Sequence, residues 1–375
     1  MNVNTQKVII SKDLQAELTA AIEAVGPDRL FVLTDTTTLA LCWPVVDKMA
    51  CLAGAQMITI GASDEAKTLD SVSHVWSQLQ SGGATRHSLL VNLGGGMVTD
   101  LGGFAASTFK RGIRFINLPT TLLAMVDASV GGKTGFNFGG LKNEIGVFNE
   151  AETVILSTLF LRTLDSHNIL SGYAEMLKHG LISTPQHWKE LLAFDVFDIC
   201  HGKTGAAEGL DSNEGQPTDS KHDEALARLL AESVAVKERI VSEDPHEHGI
   251  RKALNLGHTI GHAFESLALA KGQPVLHGYA VAWGLLCELY LSTKLAGFPR
   301  ERFYPTLQFI KENYGSMALD CREYDNLYEL MTHDKKNVAG RINFTLLADI
   351  GEIRINQQVS KDDIFEALDF YREGV

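Results

Sequence analysis

The sequence predicts an α/β chain in two domains, a doubly wound parallel sheet over residues 1–156 and a mainly α-helical domain over 157–375. Three observations carry this expectation. Short apolar runs rich in β-branched residues alternate with helical patterns through the first part, which is the signature of βαβ units. From about Leu156 the apolar period becomes almost entirely that of a helix. The length of 375 residues also exceeds what one ordinary core encloses.

In chain order, strands are predicted at 29–35 (RLFVLTD), 56–61 (QMITIG), 88–96 (SLLVNLGGG), 114–120 (RFINLPT) and 153–156 (TVIL). Helical periods fill the gaps over Asp13–Val25, Thr38–Leu52, Glu65–Gln80 and Met97–Lys110. Beyond Leu156, helices are predicted over Ser171–Ile182, Ala225–Glu243, Ala253–Ala270, Tyr279–Leu295 and Arg300–Tyr314. One late hairpin interrupts them, RINFTLL and EIRINQ around a turn at Asp349–Gly351. The segment 201–223 is rich in Gly, Ser and Asp without periodicity, and reads as an exposed, mobile loop.

The formal charge of −13 argues against non-specific nucleic-acid binding. An anionic substrate therefore requires a local basic pocket rather than a basic surface. No apolar run reaches the roughly 18–20 residues that span a bilayer. The N-terminus, MNVNTQKVIISKD, lacks the order of a signal peptide. The five cysteines (Cys42, Cys51, Cys200, Cys287, Cys321) are scattered without a CxxC and read as reduced core thiols. A cytoplasmic protein is the expectation.

Gly94-Gly95-Gly96 closes a predicted strand, and the following helix contains Asp100 and Gly102-Gly103. Glycines there let a backbone approach a pyrophosphate, whose charge the helix N-terminus favours. The spacing is not GxGxxG, and the same residues read equally as a tight strand-to-helix turn. Asp35 suits a ribose hydroxyl, Asp64 and Lys67 follow the next strand, and Thr120-Thr121 follow the fourth. All lie at carboxyl ends of strands, where open α/β sheets bind ligands. Their sum points to a dinucleotide.

The polar groups of the second part centre on residues 251–278. Arg251, Asn255, His258 and His262 stand at i, i+4, i+7 and i+11. On one continuous helix they fall within roughly 60° of each other. Glu175 and Lys178 add a carboxylate and an amine one turn apart, and His277 follows a Pro-containing turn. These residues permit a mixed His and carboxylate metal site with a guanidinium and an amide beside it for an anion. Taken singly, Glu175–Lys178 also reads as a surface i,i+3 pair and each histidine as a hydrogen-bonded structural residue. His258 and His262 have the HExxH spacing, but Thr259 replaces its glutamate, which argues against a zinc protease. Asp127, Lys133, Lys142 and Asn143 lie in a Gly-rich stretch able to wrap a phosphate. Lys237, Lys335-Lys336 and Glu247 are further candidates for anion and acid/base work, or else solvated side chains.

Taken together, Gly94-Gly95-Gly96 with Asp100, Arg111-Gly112, LPTTLLAMVDASVGGKTG, Lys142-Asn143, Glu175 with Lys178, NLGHTIGH over 255–262, His277-Gly278 and Asp334-Lys335-Lys336 resemble the 3-dehydroquinate synthase family of sugar phosphate cyclases. The resemblance runs from about residue 29 to 347 with the motifs in the expected order. It implies a Rossmann-like N-terminal domain, a helical C-terminal domain, an active site in the cleft between them, and a homodimer. It also implies bound NAD⁺ and one divalent metal, Zn²⁺ or Co²⁺. The implied reaction converts 3-deoxy-D-arabino-heptulosonate 7-phosphate into 3-dehydroquinate and phosphate in the shikimate pathway. Oxidation at C5 by NAD⁺, phosphate elimination, re-reduction and intramolecular aldol closure leave no net redox change.

By motif, the resemblance makes Glu175, His258 and His277 the metal ligands, and Glu247, His262 and Lys178 the catalytic groups. Substrate contacts fall on those ligands and on Asp127, Lys133, Asn143, Lys178, Lys237, Arg251, Asn255 and Lys336, with Arg111 reaching across the dimer. Cofactor contacts fall on Asp35, Asp64, Lys67, the Gly95-Gly96-Met97 turn, Asp100, Thr120, Thr121, Lys142, Phe160 and Thr163. The family has Glu three residues before the lysine matching Lys67; here it is Asp64, so Asp64 or Glu65 meets the ribose. Three rivals stay open: a related cyclase forming a different ring, a metal-dependent polyol dehydrogenase of the glycerol dehydrogenase type, and a non-catalytic NAD-binding protein. The lysine-rich anion clamp argues against the polyol enzyme, whose neutral substrate needs none.

Overall fold

The computed structural model describes residues 6–139, 141–197, 199, 220–332 and 342–374. The described residues of Met1–Asp165 and Phe197–Val234 form one compact unit, and those of Ser166–Val196 and Ala235–Val375 a second.

The first unit contains strands β1 (Lys7–Ile10), β2 (Leu30–Asp35), β3 (Gln56–Ile60), β4 (Leu89–Gly94), β5 (Arg114–Pro119), β6 (Lys133–Phe138), β7 (Leu141–Phe148) and β8 (Thr153–Leu156). Six of them form a parallel sheet in the order β1-β8-β5-β4-β2-β3. The central strands are apolar on both faces: Phe31, Val32 and Leu33 of β2 and Leu89, Leu90 and Val91 of β4 are all buried. A parallel sheet covered on both sides demands this continuous pattern. The crossovers include α1 (Leu14–Val25), α2 (Thr36–Leu41), α3 (Trp43–Val46), α4 (Leu69–Ser81) and α5 (Gly96–Thr108). Helix α5 rides directly on β4, because a Cβ at Gly102 would stand 2.1 Å from Asn92 Oδ1.

The structure departs from the sequence expectation in several places. The predicted Thr38–Leu52 helix is broken into α2, α3 and a 3-10 turn at Ala50–Leu52, since Pro44 lies in the first turn of α3 and opens a new helix. Thr68 starts α4 by accepting from Ser71 N at 3.3 Å, so the predicted Glu65–Gln80 helix begins at Leu69. Strand β1 is a four-residue edge, and β6 pairs antiparallel with β7 where the sequence suggested only a Gly-rich loop. Of the expected loop 201–223, residues 201–219 lie outside the described residues, and Ser220 already opens a helix.

The second unit is helical: α6 (Ser166–Leu181), α7 (Pro185–Ala193), the later part of α8 (Ser220–Glu243), α9 (His258–Ala270), α10 (His277–Leu295), α11 (Arg300–Tyr314), α12 (Tyr324–Thr332) and α13 (Lys361–Gly374). The late hairpin is present as β9 (Asn343–Asp349) and β10 (Glu352–Gln358), antiparallel. Helix α10 is the spine, packed against α6, α9, α11, α13 and β9. Its buried residues lie all round its circumference, as an enclosed helix requires. Among the described residues no helix is long and apolar enough to cross a membrane.

The tight seat of α5 has a measurable consequence. Gly102→Ala forces a methyl into Asn92 and is expected to destabilise the fold by about 1–3 kcal/mol, read as a lowered urea midpoint with an unchanged slope.

Candidate functional site

Helix α6 delivers the first two groups. Every residue from Ile169 to Leu181 is buried, Glu175 and Lys178 included at 0% and 1% exposure. The Lys178 ammonium forms an ion pair with Glu175 Oε2. The other oxygen, Oε1, lies 3.4 Å from His258 Nε2 and 3.5 Å from His277 Nε2. Neither contact has hydrogen-bond geometry, so Oε1 is buried without a hydrogen-bond partner while Oε2 is held by the Lys178 ammonium.

Each imidazole is held from its far side. His258 Nδ1 is 3.1 Å from Leu256 O, and His277 Nδ1 is 3.1 Å from Glu265 Oε2. A ring nitrogen donating to a carbonyl or carboxylate fixes the tautomer and leaves Nε2 as a lone pair. Two such lone pairs converging on one orphaned carboxylate oxygen make a donor set suited to a divalent cation of the zinc type. His262 joins them: its ring centroid is 5.3 Å from that of His258 and 5.7 Å from that of His277. One nitrogen from each of the three histidines lies within 4.8 Å of the others.

The electrostatics agree with this grouping. Burial alone would raise the Glu175 pKa, but the Lys178 ammonium and then His258 outweigh it and hold the carboxyl well below the usual carboxylate range. Without a cation, burial likewise opposes charging His277, yet Glu175 and Glu265 overcome it and push the imidazole up to about 10, so a cation takes the Nε2 lone pair only by displacing that proton.

Close backbone approaches bring these elements together. A Cβ at Gly278 would stand 1.9 Å from Ser171 O, and Gly278 N donates to Ser171 Oγ at 3.1 Å. The start of α10, with His277, is thereby seated on α6 one turn before Glu175. The expected continuous helix from Ala253 to Ala270 is absent, which corrects the single polar stripe of Arg251, Asn255, His258 and His262. A 3-10 turn covers Ile250–Asn255, and Gly257 at φ +80° starts a new helix at His258. Only glycine adopts that backbone readily. Arg251 and Asn255 belong to the preceding turn instead, where Asn255 Nδ2 donates to Glu247 Oε1 at 3.1 Å and Arg251 Nη1 to Pro245 O at 2.6 Å. Asp244 organises this turn, accepting from His248 N, Gly249 N and Arg251 N at 3.0, 2.7 and 3.1 Å. Glu247 itself is held at φ +61°, a conformation costing a non-glycine residue roughly 1–2 kcal/mol. Lys237 is buried on α8. Lys336, with Asp334 and Lys335, lies outside the described residues.

In the first unit, Gly95 is the N-cap of α5 and supplies no side-chain cap, so Gly96 and Met97 open the helix with amides available to an anion. Thr120 is buried and its Oγ1 has no hydrogen-bond partner. Thr121 Oγ1 accepts from Ala124 N at 3.1 Å, and a Cβ at Gly95 would come within 3.1 Å of its methyl. An orphaned hydroxyl beside an uncapped helix start fits a dinucleotide. Asp35 is partly spent, since its Oδ1 accepts from Thr38 N at 2.8 Å in a capping box for α2. Lys67 Nζ reaches Asp100 Oδ2 at 2.6 Å and also Asn143 Oδ1. Asp64 pairs with Lys142 at 3.1 Å, and Glu65 is exposed beside it. Phe160 is buried, and Thr163 Oγ1 donates to Phe160 O at 2.7 Å. Asp127 lies in the helical turn Ala124–Ala128, Lys133 is exposed at the start of β6, and Arg111 is exposed at φ +69° after α5.

Comparison with known proteins decides the family. The profile described as 3-dehydroquinate synthase N-terminal matches residues 57–171, and the one described as 3-dehydroquinate synthase C-terminal matches 172–337. The chain is 53% identical over 372 residues to the 3-dehydroquinate synthase of Parabacteroides distasonis, covering 99% of each. The chain belongs to the 3-dehydroquinate synthase family. A more distant relative, the 3-dehydroquinate synthase of Pyrococcus furiosus, is 35% identical over 362 residues, covering 96% of this chain and 98% of that one. In fold, the chain is similar to 2-epi-5-epi-valiolone synthase from Streptomyces hygroscopicus, solved with NAD⁺ and Zn²⁺ (TM-score 0.80, 24% identity, 99% of this chain and 97% of that). It is also similar to 2-deoxy-scyllo-inosose synthase, solved with carbaglucose-6-phosphate, NAD⁺ and Co²⁺ (TM-score 0.76, 21% identity, 98% of this chain and 96% of that).

Two residues at the site were missed in the sequence. Glu265 stands at i+3 from His262 and i+7 from His258, a spacing that sets all three on one helix face and was legible. Asp244 left no signal, because its three amide bonds form only once the turn closes.

Lys178→Met leaves the buried Glu175 carboxylate without its ammonium. It is expected to destabilise the metal-free protein by about 3–5 kcal/mol, read by urea unfolding in EDTA. Adding Glu175→Gln should recover part of that loss, and simple additivity of the two changes would contradict the pairing.

Proposed function

We propose that this chain converts 3-deoxy-D-arabino-heptulosonate 7-phosphate into 3-dehydroquinate and phosphate, using NAD⁺ and a divalent cation. One observation carries the assignment of roles: two imidazole Nε2 atoms within 3.5 Å of one buried, otherwise unbonded carboxylate oxygen. In this reading Glu175, His258 and His277 hold the cation. The Gly95-Gly96-Met97 turn, Thr120, Thr121, Asp35, Asp64, Lys67, Asp100, Lys142, Phe160 and Thr163 hold the dinucleotide. When bound, NAD⁺ supplies a reversible hydride acceptor for the C5 alcohol and the cation a Lewis acid for its hydroxyls.

The remaining tasks belong to the protein's own groups. Arg251 and Lys237 bind the substrate carboxylate, and Lys133, Asn143 and Lys336 the phosphate. Asn143 accepts from Lys67 through Oδ1, which leaves its NH₂ as the donor that a phosphate oxygen requires. Asp127 and Asn255 orient the sugar hydroxyls, and holding a flexible chain at several points removes much of the entropic barrier. His262, next to both ligand histidines, and Glu247, hydrogen-bonded to Asn255, move protons at the reacting carbons and the leaving phosphate. Lys178 keeps Glu175 ionised. The same reading gives a cytoplasmic homodimer that does not act on nucleic acid, with the exposed Arg111 completing the partner's site.

Incubation with the heptulosonate phosphate and NAD⁺, following phosphate and NADH together, tests the reaction. Phosphate release without accumulation of NADH is expected; stoichiometric NADH would instead indicate a dehydrogenase. Lys133→Ala should lower turnover by a hundredfold or more with the fold intact. His258→Ala should lose both bound metal, by elemental analysis, and activity. Retention of full metal and full activity in that variant removes the ligand assignment.

A further inference from the structure

The amino end of α9, the helix that carries His258 and His262, is capped from a different helix. Its own N-cap is Gly257, which has no side chain to offer. Even so, Gly257 N–H donates to Glu288 Oε2 at 2.6 Å and Ile260 N–H donates to Glu288 Oε1 at 3.1 Å. Glu288 lies on α10, eleven residues after His277, and is 0% exposed. Both of its oxygens are therefore committed to the backbone on either side of His258.

A buried carboxylate is an expensive cap. A local Ser, Thr or Asp at the N-cap would satisfy the Ile260 amide with less desolvation. What a local cap cannot do is tie α9 to α10. The two helices already touch through glycine: a Cβ at Gly284, one turn before Glu288, would stand 2.0 Å from Gly257 O. That contact sets how close the helices come, and it is made by packing alone, without a hydrogen bond that names one residue of α10 for the start of α9. Two charge-assisted bonds, to the N-cap amide of Gly257 and the first-turn amide of Ile260, fix the register, and the helix dipole favours the negative charge there.

We propose that Glu288 is a positioning residue, which locks the first turn of α9 onto α10 so that His258 and His262 meet His277, at the far end of the same helix. The proposal rests on the metal-site reading above. In this role Glu288 acts through the backbone of Gly257 and Ile260.

The test is cobalt(II) titration of the full-length, metal-stripped protein, read by visible d–d absorption, with far-UV circular dichroism as a check of folding. Glu288→Gln can accept from only one of the two amides and turns a donor toward the other. It is expected to stay folded, bind cobalt tenfold or more weakly with an altered spectrum, and lose kcat while KM for the heptulosonate phosphate changes little. Glu288→Asp, which keeps the charge but withdraws it by one methylene, should fall between that variant and the unaltered protein. Unaltered cobalt affinity and spectrum in Glu288→Gln, with only a lowered melting temperature, would overturn the proposal. If Glu288→Gln does not fold, the same result in Glu288→Asp overturns it. His258→Ala run in parallel separates the two claims. Loss of cobalt there with none in Glu288→Gln defeats only the positioning role, whereas cobalt retained in His258→Ala defeats the metal-site reading itself.

Discussion

A carboxylate sealed from water must be answered by positive charge or by protons, and in this protein Glu175 is that carboxylate. Its position on a fully buried turn of α6 excludes solvent, so Lys178 and the two imidazoles facing it set its state. The ammonium takes one oxygen and leaves the other aimed at two ring nitrogens. Replacing any of these groups with an apolar side chain would strand a charge in the core, where such groups are rarely tolerated. The chemistry of the site and the stability of the second unit thus share one constraint.

The helices around Glu175 are placed to serve that constraint. Gly278 lets α10 begin against Ser171, one turn before the carboxylate, and Gly257 breaks the chain so that His258 opens a helix rather than continuing one. In the first unit a similar logic holds: Gly95 starts α5 without a side-chain cap, and the Lys67 side chain draws Asp100 and Asn143 together. In the first unit the backbone is left uncapped where a dinucleotide is expected, whereas in the second the breaks at Gly257 and Gly278 are capped by Glu288 and Ser171 from neighbouring helices.

Much of this was legible in the sequence. The alternation of β-branched runs and helical periods gave the parallel sheet, and Arg300–Tyr314 appears with the predicted bounds. The spacing of His258 and His262 placed both in the cluster. The spacing alone did not choose between His262 and Glu175 as the third ligand; the family resemblance supplied that assignment. The break at Gly257 was hidden, because polar residues at i, i+4, i+7 and i+11 read as one helix unless a glycine adopts a positive φ, which no local pattern announces. The β6–β7 hairpin was hidden for a related reason: its glycines hide the alternation that marks a strand. Glu288 was invisible for another, since a glutamate within an apolar helix gives no hint of whose backbone it will cap.

The central claim is that one cation is shared by Glu175, His258 and His277. A crystal structure of the zinc-loaded protein, with anomalous data collected at the zinc edge, tests this most directly. The account predicts a single strong anomalous peak bonded to two imidazole nitrogens at about 2.0–2.1 Å and to a Glu175 oxygen at about 2.0–2.2 Å. A peak held by His258, His262 and His277, with Glu175 still bound only to Lys178, would contradict it.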